Sequence, residues 1–126
     1  MSPSPAPPWQ EHRALSRGVF AVAVLVSLAV LFAPPSDGPD SAPGVDKVVH
    51  AALFLALAVT GRWAGIGQAV LAVLLGLYAA GSEVVQGLDV VGRSTSVADW
   101  LADVVGVLAG LALWAAVSRR RPRART

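Results

Sequence analysis

The stretch WAGIGQAVLAVLLGLYAAGS, residues 63–82, contains 20 residues and no charged side chain. An α-helix needs about 20 apolar residues, each rising about 1.5 Å, to cross a hydrocarbon core about 30 Å thick. This stretch therefore predicts a transmembrane helix and decides the fold class. The composition agrees, because 55% of the 126 residues are hydrophobic and only 14% are charged, whereas soluble domains carry about 25% charged residues.

Three further uncharged runs lie on either side of this stretch. They cover residues 18–36, 48–61 and 104–118, which are 19, 14 and 15 residues long. The first run is long enough to span a membrane, whereas the other two reach that length only by including ionisable residues at their ends. We predict an all-α integral membrane bundle of four transmembrane helices, at about 15–33, 46–62, 65–87 and 97–117.

The distribution of basic residues orients this bundle. With the N-terminus inside, eight of the ten Lys and Arg residues lie on the cytoplasmic side, five of them at 119–125. Lys47 and Arg93 are the two that lie outside. Because basic residues concentrate on the cytoplasmic side of a membrane, both termini are predicted to be cytoplasmic.

The ends of the chain differ in composition from the predicted membrane domain at 15–117. We expect a disordered proline-rich leader at 1–14 and a basic cytoplasmic tail at 118–126. The tail arginines are expected to set topology and contact anionic lipid, and no nucleic-acid partner is predicted. A signal peptide is the alternative for the first run, but the run is long for one, and its apolar part ends at Pro34 and Pro35 without a clear cleavage site.

The absence of certain residues and motifs excludes several kinds of site. The chain has no cysteine, which excludes disulfides, thiolate metal sites, a cysteine nucleophile and a lipoprotein anchor. Neither HExxH nor GxSxG occurs. From the sequence we assign no catalytic residue, no metal ligand set and no cofactor.

Polar side chains converge on the outer half of the predicted bundle, where helix 2 enters, helix 3 leaves and helix 4 enters again. Asp46 and His50 are four positions apart, as are Asp99 and Asp103, so each pair shares one face of its helix. Three helices can thus direct polar groups at one site. The candidate polar site comprises Asp46, Lys47, His50, Glu83, Gln86, Arg93, Ser96, Asp99 and Asp103.

Some of these residues also have purely structural explanations. Ser96 and Asp99 fit a helix-capping pattern, and Lys47 can extend its ammonium group to the interface. Glu83 fits such explanations least, because it follows the 20-residue uncharged run and must be protonated or paired in a membrane. In helix 4, the small residues Gly106 and Gly110 are typical of close helix packing and leave oligomerisation through this pair open.

The order of these motifs resembles the VanZ-like family of small bacterial membrane proteins. The matching elements are DKVVH at 46–50, SEVVQ at 82–86, RSTSVAD at 93–99 and the small-residue-rich last helix, so that the resemblance covers about 45–115. The family is named after a member linked to low-level teicoplanin resistance. Two departures stand out: Asp103 occupies a position where asparagine is expected, and no proline precedes Arg93.

Three functions are compatible with this pattern. The first is binding or modification of an amphipathic envelope molecule, such as a lipid-linked one or a glycopeptide, in which Arg93 holds an anionic group. The second is a membrane-embedded hydrolase of lipid headgroups, in which His50, Glu83, Asp99 and Asp103 ligate a divalent ion. The third is a structural helical assembly protein whose polar cluster only fixes packing. Membrane lipids are the expected partners, and the expected location is the bacterial cytoplasmic membrane.

Overall fold

The computed structural model describes Ser2 and residues 8–32, 45–86 and 97–120, with the side chains of 8–11, 46 and 86 excepted. The regular structure of these residues is entirely helical, as predicted. The four helices are α1 (Pro8–Leu31), α2 (Val45–Trp63), α3 (Gln68–Gln86) and α4 (Val97–Arg120).

The first helix begins earlier than predicted. Its start at Pro8 places residues 8–14 in regular structure, so the expected disordered leader at 1–14 is too long. Proline is well tolerated in the first turn of a helix, where its missing N–H group has no intrahelical partner to lose. The residues that follow, Gln10, Glu11 and Arg13, are good helix formers that the prediction assigned to a polar leader.

A tight turn separates α2 from α3 and explains why α3 begins at Gln68 instead of the predicted residue 65. The Ile66 N–H donates to the Gly61 carbonyl at 3.1 Å, and the Gly65 N–H donates to the Arg62 carbonyl at 3.1 Å. Gly65 has a φ of +96°, a conformation in which a Cβ atom is strained. These features form a Schellman C-cap, which ends α2 after Trp63.

Three of the helices are long and apolar enough to cross a membrane. They are the segments His12–Leu31, Gln68–Val85 and Val97–Arg120, whose mean hydropathies are 2.2, 1.6 and 1.9. These helices make the chain a membrane protein by length and composition. The second helix falls short of this criterion, in keeping with the charged residues near both of its ends.

The second helix is the centre of the bundle, because it packs against each of the other three. Its residues Phe54, Leu57 and Ala58 are almost fully buried in the apolar core. Along α2, the large apolar residues with high exposure are confined to Val45, Val48 and Val49 in its first two turns. Helices α1, α3 and α4 instead carry exposed apolar residues along their length, which suits contact with lipid chains.

Contacts along the helices give their relative directions. Gly61 of α2 faces Leu71 of α3, and Phe54 of α2 packs against Tyr78 farther along α3, so these two helices are antiparallel. His50 lies near the start of α2 beside Asp103 near the start of α4, and Leu55 faces Gly110, so α2 and α4 run parallel. The amino ends of α2 and α4 and the carboxyl end of α3 therefore lie at one end of the bundle.

Close contact between α2 and α4 depends on glycine. Gly106 and Gly110 are both buried, and Cβ atoms at these positions would collide with the backbone of Ala51 and with Ala58 and Leu55. The close packing predicted for this pair is thus found within the chain, whereas the sequence left oligomerisation through the pair open.

Candidate functional site

The centre of the site is a buried hydrogen bond between α2 and α4. His50 Nδ1 lies 2.8 Å from Asp103 Oδ1, and the exposed fractions of the two side chains are 2% and 0%. His50 is the sixth residue of α2 and Asp103 is the seventh of α4, which places both about 8–9 Å along their helices. The glycine packing beside them brings the backbones of α2 and α4 close together, and the two side chains meet between the helices.

The third helix contributes a second carboxylate to this centre. Glu83 lies in the last turn of α3 and is 5% exposed. One ligand-type atom from each of His50, Glu83 and Asp103 lies within 4.8 Å of the other two. We call these three residues the inner cluster. Glu83 is 33 positions from His50 and 20 positions from Asp103 in the sequence. The three residues meet because α3 runs antiparallel to α2 and α4.

An ion pair lies one turn nearer to the end of the bundle. Lys47 Nζ is 3.7 Å from Asp99 Oδ1, and the exposed fractions of the two side chains are 51% and 14%. Asp99 is also in the first turn of α4, where a carboxylate interacts favourably with the helix dipole. Asp99 therefore contacts Lys47, and it is not one of the three residues in the inner cluster.

The structure thus brings together five of the predicted site residues, which are Lys47, His50, Glu83, Asp99 and Asp103. Four others lie outside the described residues: the side chains of Asp46 and Gln86, and the whole of Arg93 and Ser96. For these four the site assignment remains a prediction.

A polar contact that the sequence analysis did not identify lies one to two turns deeper along α3. Ser27 Oγ of α1 lies 2.9 Å from the Tyr78 hydroxyl of α3, and the Tyr78 ring packs against Phe54 with centroids 5.5 Å apart. Ser27 is the one hydroxyl side chain between residues 18 and 35. A single hydroxyl within an apolar run is the sequence signal for such a contact, because a buried hydroxyl in a membrane needs a hydrogen-bond partner.

The chain matches no protein-family model, no curated protein sequence and no solved structure.

The chemistry available at the inner cluster follows from its three side chains. An imidazole and two carboxylates can exchange protons, accept hydrogen bonds from hydroxyl and amide groups, or coordinate a cation. Their burial strengthens such interactions, because water competes less for each group. His50 and Asp103 lie about 8–9 Å from the helix ends, so the cluster is close to one end of the bundle.

Proposed function

We propose that this chain is a VanZ-like protein of the bacterial cytoplasmic membrane that crosses the membrane four times, with both termini in the cytoplasm. The parallel packing of α2 against α4 supports a crossing by α2, since α4 is itself a candidate span. The 19 residues of α2 extend about 28 Å, close to the thickness of a hydrocarbon core. The charged residues of α2, which are Asp46, Lys47 and Arg62, lie within its first three and last two positions, where the polar membrane boundary lowers their cost.

The proposed function is binding, or modification, of an amphipathic envelope molecule at the polar end of this bundle. One observation carries the proposal: three helices direct His50, Glu83 and Asp103 to a single buried point. Buried polar groups in a membrane protein are expensive, and such groups commonly mark ligand sites. The exposed apolar faces of α3 and α4 offer a surface for the acyl or prenyl tail of the same molecule.

In this proposal each polar group has a separate role. His50 and Glu83 hydrogen-bond the polar groups of the ligand or exchange protons with it. Arg93, which the family resemblance assigns to the same site, holds a phosphate or carboxylate. Capture of a lipid-linked envelope precursor, or of a glycopeptide itself, would lower teicoplanin susceptibility by changing access to the drug target.

Native mass spectrometry of the full chain in nanodiscs made from bacterial envelope lipid tests this proposal. We expect the wild-type protein to retain one class of anionic envelope lipid, and Glu83→Gln and Arg93→Ala to lose it at unchanged thermal stability. The matched control is Arg17→Gln, which removes one exposed cation from α1. Expression in a susceptible bacterium should raise teicoplanin tolerance for wild type and Arg17→Gln, and not for Glu83→Gln.

A membrane-embedded hydrolase is the second candidate, and the metal-compatible spacing of the inner cluster favours it. Release of a free headgroup from lipid in the nanodiscs, at a rate that depends on His50, would support hydrolysis over binding.

A packing-only role is the third candidate, favoured by the direct His50–Asp103 hydrogen bond between α2 and α4. In that case no lipid is selected, and Glu83→Gln and Arg93→Ala only lower the melting temperature.

A further inference from the structure

The inner cluster has the donor set of a metal site. His50 supplies an imidazole nitrogen, and Glu83 and Asp103 each supply carboxylate oxygens. The three residues are 1%, 5% and 0% exposed, and each comes from a different helix. Imidazole and carboxylate together are typical ligands of first-row divalent transition metals.

The charge of the cluster also favours a cation. Two carboxylates beside one imidazole leave at least one negative charge whenever both carboxylates are ionised, even if His50 is protonated. A divalent ion would interact directly with the carboxylates of Glu83 and Asp103, and such an interaction is strongest in a buried, low-dielectric site.

The spacing of the ligand atoms is compatible with such an ion. Ligands about 2.0–2.2 Å from Zn²⁺ in tetrahedral geometry are about 3.3 Å from each other. The His50–Asp103 distance of 2.8 Å is slightly shorter than this value. The three ligand atoms all lie within 4.8 Å of one another, so the distances to Glu83 can be longer than this value. Rotation about the Glu83 side chain can bring its carboxylate closer to the other two ligands, and the His50–Asp103 distance must lengthen by about 0.5 Å when an ion replaces the hydrogen bond.

We propose that His50, Glu83 and Asp103 bind one divalent transition-metal ion, with one ligand atom from each residue. Three protein ligands leave at least one coordination position open. An open position could accept a phosphate or carboxylate oxygen from a ligand. This last point rests on the proposed function, whereas binding of the ion itself does not. Asp99, which the sequence grouped with these ligands, stays with Lys47.

The test is the metal content of the full chain in nanodiscs without added envelope lipid, after removal of any affinity tag, treatment with chelator and dialysis against Zn²⁺. We expect about one Zn²⁺ per wild-type chain, and at least a tenfold weaker affinity for the isosteric variants Glu83→Gln and Asp103→Asn. The control is His12→Ala, which removes the other histidine of the chain, an exposed residue of α1. This variant should bind like wild type.

A second readout covers the case in which the variants fold poorly. Co²⁺ added to the wild-type protein should give visible absorption bands of a low-symmetry site, and Zn²⁺ should raise the melting temperature of wild type and His12→Ala equally. Failure of wild type to bind Zn²⁺ at micromolar free concentration would overturn the proposal. So would binding that Glu83→Gln and Asp103→Asn retain, or that His12→Ala loses. The lipid-selection experiment can succeed or fail independently of this test, because no envelope lipid is added to the nanodiscs used for metal binding.

Discussion

His50 and Asp103 are 53 positions apart in the sequence, and their side chains meet at 2.8 Å inside the bundle with almost no exposure to the surroundings. This hydrogen bond joins the central helix α2 to α4. The two side chains project from parallel helices, and Gly106 allows the close backbone approach of these helices beside the hydrogen bond. Packing and polar chemistry are therefore coupled at this point of the fold.

We predict that His50 and Asp103 are energetically coupled. His50→Ala or Asp103→Ala alone should lower the free energy of unfolding by about 2–4 kcal/mol, because each removes a hydrogen bond between two buried polar groups. The double variant should cost less than the sum of the two by about 1 kcal/mol or more. Reversible unfolding in mixed micelles, measured for the full double-mutant cycle, gives this coupling directly.

The matched control cycle uses Lys47→Ala and Asp99→Ala, one turn nearer to the end of the bundle. Lys47 is half exposed and its contact with Asp99 is long, at 3.7 Å, so their coupling should be about 0.5 kcal/mol or less. Equal coupling energies in the two cycles would contradict the view that the buried pair dominates this site.

The sequence predicted the parts of the fold that depend on local composition. Uncharged runs located all four helices, and spacing along each helix placed His50, Glu83 and Asp103 at one end of the bundle. Sequence spacing could not separate Asp99 from Asp103, because both lie on one face of α4, and which of them meets His50 depends on the register between α2 and α4. The early start of α1 at Pro8 was missed because a helix that extends beyond the apolar run has no hydrophobic signal.

The two glycines of α4 should be intolerant of any side chain. A Cβ atom at position 110 would lie 2.6 Å from Ala58 Cβ and 2.7 Å from the Leu55 carbonyl oxygen, and one at position 106 would collide with the backbone of Ala51. We expect Gly106→Ala and Gly110→Ala each to lower the free energy of unfolding by about 1–3 kcal/mol. Gly106→Ala should also weaken the His50–Asp103 coupling, which the double-mutant cycle measures in that background.

Gly76→Ala in α3 is the control for helix propensity. No atom lies within 4 Å of a Cβ atom built at this position, so alanine should be neutral or should stabilise by up to about 1 kcal/mol. A loss of stability for Gly76→Ala as large as that for Gly110→Ala would show that glycine is needed for another reason than close packing.

The turn between α2 and α3 should depend on Gly65. Its φ of +96° is costly for any residue with a Cβ atom, so Gly65→Ala should destabilise the protein by about 1–2 kcal/mol. Gly67→Ala, two residues later, has open space around its Cβ position and no such backbone requirement. Thermal melts of the two variants in the same detergent should therefore differ, with a lower melting temperature for Gly65→Ala alone.

The hydrogen bond between Ser27 and Tyr78 should hold α1 against α3. Removal of either hydroxyl, by Ser27→Ala or Tyr78→Phe, should cost about 0.5–1.5 kcal/mol, and the double variant should cost little more than one. Ser16→Ala is a suitable control, because the Ser16 hydroxyl donates to the Arg13 carbonyl of its own helix at 3.1 Å. Additive costs for Ser27→Ala and Tyr78→Phe would indicate that the two hydroxyls act independently.

The proposed four-span topology can be tested by cysteine labelling, because the natural chain has no cysteine to remove. Single variants Ser2→Cys, Gly67→Cys and Thr126→Cys should react with a membrane-impermeant maleimide only after the cells are opened. Ser41→Cys and Ser94→Cys should react in intact cells. If α2 did not cross the membrane, the three remaining spans would move positions 67 and 126 to the outside and position 94 to the inside. The reactivity of Gly67→Cys, Ser94→Cys and Thr126→Cys in intact cells thus distinguishes four spans from three, and it determines on which side of the membrane the inner cluster lies.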